Sequence, residues 1–507
     1  MLPSRSDRFF ELIQSMPTRT KETDLKFLQL MFQDYYRTHP DKVDSPNQIQ
    51  MREFATESWD YIWRCPEREV ANSSGHKTKI GCGRTGRSFK KIQSCPNCGS
   101  PEVQATNWSR HLGFRTAEAL RNELIASAPH SVYHSAAFYN TPVARSMDEK
   151  GWQGAELVFD IDADHLDSPC SSIHDAWRCN NPECHEIGTG NPPETCPKCG
   201  GLRKWSCDKC HEEGREAPPE MRCPKCGSER VSTQLWGFST RKWVCDRCLG
   251  DAKRYTLKLY DEFLVNDFGI DRSSIQLNYS GHRGYHVRVR DPRVYKLTSD
   301  GRVEIVHYIN GVGFNSEKFI TKISMPLPSG EVPGWPRKIT AAIVEFIRNI
   351  DSYAGKERWI EPLRKQRAAA IEGLLRKPPI LSGKVVGVGS KSWQEIAAQA
   401  VASYGGKIDV PVTHDVHRVI RLIGTLNGKT GFTVTPLTRD QIDDFDPFRD
   451  AIGLTEGSLK VKVSGGTAKV PSFRIGETEY GPYQDETVEL PMAAAVFMLC
   501  KGVATIE

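Results

Sequence analysis

Residues 155–164 read AELVFDIDAD, and this stretch decides the fold. Leu157, Phe159 and Ile161 alternate with Val158, Asp160 and Asp162, the period-two pattern of a half-buried strand. Asp160, Asp162 and, two positions on, Asp164 are expected on one face, about 7 Å apart per step. Carboxylates that close repel one another unless cations lie between them, and hard oxygen ligands suit magnesium or manganese. A helix-loop-helix calcium site is excluded, because its glycine position holds His165 and its twelfth position Ser171. A metal-free acidic strand end is the plainer alternative. The metal reading requires a third carboxylate and a substrate site elsewhere in the chain.

Downstream, AKRYTLKLYDEFLVNDFG places Leu257, Tyr260, Phe263 and Leu264 at helical spacing, with Gly269 as a stop signal. Ile275, Leu277 and Tyr279 then alternate, as do Tyr285, Val287 and Val289, which predicts two strands joined by a loop over Ser280–Gly284. His286, Arg288 and Arg290 share one face of the second strand, while Ser280, His282 and Arg283 occupy the loop. Such a glycine-flanked loop can cradle a triphosphate. A second basic cluster starts at Lys407: Asp409 lies in a short apolar run, Arg418 and Arg421 fall one helical turn apart, and Asn427-Gly-Lys429-Thr-Gly431 makes a turn. It is not a P-loop, since the required glycine position holds Ile423. Gly387-Val-Gly389 lacks the third glycine of a dinucleotide fingerprint.

The chain has 507 residues and 16 cysteines, fifteen of them between Cys65 and Cys248. Cys95-Pro-Asn-Cys98-Gly, Cys196-Pro-Lys-Cys199-Gly and Cys223-Pro-Lys-Cys226-Gly share the pattern CPxCG, a turn that aims two thiolates at one tetrahedral ion. Cys207, Cys210, Cys223 and Cys226 predict one zinc ribbon, and Cys179, Cys184, Cys196 and Cys199 a second. Cys65, Cys82, Cys95 and Cys98 predict a third, with His76 a possible substitute ligand. Cys170, Cys245 and Cys248 remain, and His174 completes a fourth set that brackets the two inner ribbons like a stem. Sites so rich in cysteine are closed, so the zinc explains folding rather than chemistry. Cys500 is expected as a buried thiol.

A net charge of +5 with 26% charged and 38% hydrophobic residues describes a globular protein and excludes a disordered or fibrous one. No apolar run reaches the roughly 20 residues of a membrane helix, and MLPSRSDRFF lacks a signal-peptide core, so neither a membrane span nor secretion is expected.

Four separated motifs, in order, resemble the catalytic (small) subunit of archaeal and eukaryotic DNA primases. They are REFA at 52–55, ELVFDIDAD at 156–164, YSGHRGYHV at 279–287 and the segment from Asp409 to Gly431. Weaker agreement comes from FQDYY at 32–36, SRHLGF at 109–114 and CDRCLGDAKRYTLKL at 245–259. The resemblance implies template-directed synthesis of short primers on single-stranded DNA from nucleoside triphosphates, alongside a large subunit. It assigns Asp160, Asp162 and Asp409 as magnesium or manganese ligands. It also implies nucleotide contacts by Arg52, Ser280, His282, Arg283, His286, Arg421, Asn427 and Lys429, and a zinc site at the stem. Two positions depart from the family pattern: Asn427 replaces the usual histidine, and His282 is the first basic residue of the loop.

The expected fold is mixed α and β (α+β): a primase-polymerase core with inserted zinc ribbons and a small helical insertion. The core comprises 1–64, 100–167, 250–310 and 400–440, with 441–507 its C-terminal segment. Residues 65–99 form one inserted ribbon, 168–249 the stem with two more, and 315–400 the helical insertion. The implied location is cytoplasmic in an archaeon and nuclear in a eukaryote. Two other readings are a non-catalytic zinc-ribbon adaptor that grips nucleic acid and a primase-like repair polymerase. The adaptor leaves DID, SGHRG and Asp409 as coincidences.

Overall fold

The alternation along 157–162 forms a strand because its apolar side has a core to enter: Leu157, Phe159 and Ile161 are buried in the main hydrophobic cluster. The computed structural model describes residues 21–71, 77–166, 168–214, 222–323, 325–328, 332–381, 385–463 and 469–507. His76 lies outside them.

Nine strands frame the centre: β1 (Phe54–Arg64), β2 (Thr85–Ser88), β3 (Gln104–Leu112), β4 (Ser131–Ser135), β5 (Leu157–Asp162), β6 (Ile275–Tyr279), β7 (Gly284–Val289), β8 (Val419–Arg421) and β9 (Thr435–Leu437). One antiparallel sheet has the order β8-β4-β1-β2, with β3 also on β1; the other has the order β9-β6-β7-β5. The predicted hairpin is β6–β7, and β7 carries it onto the acidic strand with His286 opposite Asp160 and Gly284 opposite Asp162. Glycine is required there, because a Cβ on Gly284 would lie 2.1 Å from the Ile161 carbonyl oxygen. Between the sheets, Ala136, Val158, Val412 and Ile420 pack as a small apolar plug.

Three sequence expectations change. Asp164 leaves the strand in a short turn, Ala163–His165, and its carboxylate pairs with Arg283 at 2.8 Å. The run around Arg418 and Arg421 is not helical: residues 419–421 are strand β8, paired with β4 so that Arg421 faces Tyr133. The helix anticipated near Leu257 begins earlier, spanning Asp246–Lys258 from a cap at Cys245, and continues as a wider π-helical turn over Leu259–Val265.

Helices Trp335–Arg348 and Ser390–Tyr404 pack on each other, and their buried faces belong to the same hydrophobic cluster as β5–β7. The chain closes with the apolar helix Met492–Cys500 and a strand, Ala504–Ile506. The three cysteine ribbons repeat one device that cysteine spacing alone does not disclose. Trp63, Trp177 and Trp205 each stand two residues before a cysteine. Each indole lies over a glycine on the neighbouring strand: Gly86, Gly188 and Gly214, where an added Cβ would come within 2.5 Å of the ring. The tryptophan thus gives a ribbon too small for its own core something to bury.

Candidate active site

A cavity of about 250 Å³ opens between the two sheets. Asp160 and Asp162 enter it from β5, His286 from β7, and Ser280 and His282 from the loop between β6 and β7. Tyr133, Arg418 and Arg421 enter from the other sheet, and Lys429 from the turn beyond it. Asp409 stands just before the short helix Val410–His414, without a capping hydrogen bond, and borders an adjoining cavity with His165, whose Nε2 is 3.9 Å from its carboxylate.

Burial pushes Asp160 up to about 6, and the charge on Asp409 adds to the rise while Arg418, His165 and Arg421 oppose it. Asp162 is also raised to about 6, by burial and then by Asp164 and Asp160. The nearby cations do not fully offset the burial and mutual repulsion of these carboxylates, and a divalent cation would supply the remaining countercharge. His286 goes the other way: burial, then Arg421, Arg288 and Arg418, drive it down to about 3, so the ring is neutral. Its Nδ1 accepts from the Asn278 amide at 3.3 Å, which leaves the proton on Nε2, 3.7 Å from the Asp160 carboxylate.

Not every residue assigned to the nucleotide reaches the cavity. Arg52 is fully buried and its donors are spent on the carbonyls of Asn47, Ser135 and Ala136 and on Glu156 at 2.6 Å. Arg283 is equally buried, held by Asp164 and by Asp175 at 3.0 Å. Asn427 donates to the Ser280 carbonyl at 3.0 Å and accepts from the Lys429 amide at 3.0 Å, so it joins the two basic loops. Arg288 pairs with Glu156 at 2.5 Å, away from the cavity. Tyr133, Arg418 and Lys501 were not singled out from sequence as site residues. Tyr133 lies under Arg421, 5.0 Å from its guanidinium, and only the β4–β8 pairing brings them together.

The four cysteine sets close as their spacing predicts. Cys65, Cys82, Cys95 and Cys98 converge, as do Cys179, Cys184, Cys196 and Cys199, and Cys207, Cys210, Cys223 and Cys226. Cys170, His174, Cys245 and Cys248 form the stem set. A tetrahedral zinc with bonds near 2.3 Å sets its sulfurs about 3.8 Å apart. The sulfur pairs of the three ribbons lie at 3.5–3.8 Å, so the ion fits. In the stem, His174 Nε2 lies 3.2 Å from the Cys248 sulfur and 3.3 Å from that of Cys245, while Nδ1 meets Asp175 at 2.9 Å. That carboxylate holds the ring as a zinc ligand would require and also receives Arg283, so the stem is tied directly to the loop of the cavity. Unlike the cysteine sets, the three aspartates do not gather within 4.8 Å of one another among the described residues; they flank a space.

Paired carboxylates on one wall thus face Arg418, Arg421 and Lys429 across a cleft, a set of groups that could hold a divalent cation and a polyphosphate. The family model described as DNA primase small subunit matches residues 239–439. The chain is 30% identical over 443 residues to the DNA primase small subunit PriS of Methanothrix thermoacetophila, covering 80% of this chain and 93% of that protein. It is 27% identical to the proteins of the same name from Methanococcoides burtonii and Nitrosopumilus maritimus. Those matches cover 95% and 96% of this chain and 99% of each relative. The chain belongs to the DNA primase small subunit family.

Proposed function

We propose that this chain is the catalytic subunit of a DNA primase, which builds short primers on single-stranded DNA from nucleoside triphosphates. The observation that carries the reading is the shared cavity: Asp160 and Asp162 on one wall, Ser280, His282, His286, Arg421 and Lys429 around it. Asp160, Asp162 and Asp409 would hold magnesium or manganese. Such ions, when bound, activate a 3′-hydroxyl and neutralise charge that develops on the transferred phosphate and the departing pyrophosphate. Arg421 and Lys429 offer charge to the triphosphate, and Ser280 and the neutral His286 and His282 offer hydrogen bonds. Arg52, Arg283 and Asn427 act behind them, holding β5, the hairpin loop and the Lys429 turn in register. A primase large subunit is the expected partner. The curated relatives are archaeal, which supports the cytoplasm as the place of action. No described helix is long and apolar enough to cross a membrane.

Incubated with single-stranded template, nucleoside triphosphates and magnesium or manganese, the purified protein should release short oligomers, with yield or length changed by the large subunit. No product under either condition would overturn the reading.

The raised aspartates also predict a pH effect. Their folded pKa of about 6 lies above the ordinary carboxylate value. The stability they contribute is therefore complete below about pH 4 and is lost as pH rises through about 6. Magnesium binds only the ionised carboxylates, so it should raise the melting temperature clearly at pH 7.5 and barely at pH 5. Equal magnesium shifts at both pH values would contradict the site.

A further inference from the structure

Lys501 ends the C-terminal apolar helix, where a cation suits the helix dipole, yet its side chain turns inward and is 8% exposed. Its ammonium lies 3.0 Å from the Lys242 carbonyl oxygen and 3.0 Å from His282 Nε2. Neither partner is a carboxylate; the Asp175 carboxylate, which also acts on Lys501, is already paired with Arg283 and Lys242, and Arg283, Lys429 and Arg421 also surround His282. A buried cation among cations is costly unless an anion completes the site. Burial and then Arg283 pull Lys501 down to about 7, and burial with Lys501, Lys429 and Arg283 keeps His282 neutral.

A neutral imidazole carries one proton. When Lys501 donates to Nε2, that proton must sit on Nδ1, so the ring facing the cavity becomes a donor. We propose that Lys501 is a positioning residue for the incoming triphosphate: it fixes His282 in the Nδ1-protonated form and adds positive charge behind it. The proposal rests on reading the cavity as the nucleotide site. It gives the C-terminal helix, which lies outside the matched segment 239–439, a part in nucleotide binding. The Lys242 bond anchors the same ammonium to the backbone just before stem ligand Cys245.

The test is equilibrium binding of ATP with magnesium, without template, so that it does not depend on synthesis. Lys501→Met should weaken ATP binding by about tenfold or more, the size expected for a lost charged hydrogen bond. Binding of inorganic tripolyphosphate should weaken in parallel. Lys501→Arg should recover most of the loss. In a His282→Ala background, Lys501→Met should add less than about twofold, because the two residues act as a unit. Unchanged ATP binding in Lys501→Met would overturn the proposal. So would an undiminished effect in the His282→Ala background, or a loss accompanied by released zinc and early melting in both Lys501 variants. Wild-type protein that binds ATP but makes no primers would instead refute the primase reading and leave Lys501's role to these binding results.

Discussion

Asp160→Ala and Asp162→Ala should each abolish primer synthesis, by at least about a thousandfold, while the zinc content stays equal to that of the wild type. The magnitude follows from the task these carboxylates serve: with one gone, the cation that activates the nucleophile and shields the phosphates is no longer held, and such charge stabilisation is worth several kcal/mol. The fold should survive, because both side chains face the cavity rather than the core and both carry raised pKa values that make their charge a burden to the empty protein. Any zinc content should survive because the fifteen cysteines and His174 that could hold it lie in sets separate from the aspartates. Gel analysis of products beside elemental analysis of the same samples checks both halves. Residual synthesis near wild type would remove the aspartates from the mechanism; loss of zinc would make the inactivation merely structural.

The largest effect on stability is expected at a residue that contacts no substrate. Glu156 is 1% exposed and receives Arg52 at 2.6 Å and Arg288 at 2.5 Å. Burial alone would raise its pKa, but Arg288 and Arg52 hold it below its ordinary range. Arg52 meanwhile grips the carbonyls at the end of β4, so this triad joins the β4 edge to the start of β5. Glu156→Gln would leave two buried guanidinium groups without an anion, which costs about 3–5 kcal/mol. The melting transition should fall by several degrees, and synthesis should fall with it as β5 shifts against β8. Adding Arg288→Gln should recover part of the loss, since it removes one of the orphaned charges. A melting temperature unchanged in Glu156→Gln would show that the triad does not hold the sheets.

How much of this was legible depends on where each partner lies. The acidic strand, the hairpin and the four cysteine sets are local patterns, governed by period-two alternation or ligand spacing, and they appear as read. Arg52, Arg283 and Asn427 sit in motifs whose order is informative, yet their side chains serve carboxylates and carbonyls far along the chain, such as Glu156 and Asp175. No spacing rule reports that pairing. The spacing of Arg418 and Arg421 fits one helical turn, but pairing with β4 makes 419–421 a strand. Lys501 resembled the polar stop of an apolar helix, and only the packing of that helix against the stem turns it toward His282. The small net charge hides the same arrangement, because the aspartates offset the cations that surround them.

Manganese binding in the presence of nucleotide tests the central claim most directly. Wild-type protein, titrated with manganese and ATP and followed by electron paramagnetic resonance, should bind manganese ions that are absent from Asp160→Ala and Asp162→Ala at equal zinc content. The same manganese binding in wild type and both variants would contradict the assignment of the chemistry to these aspartates.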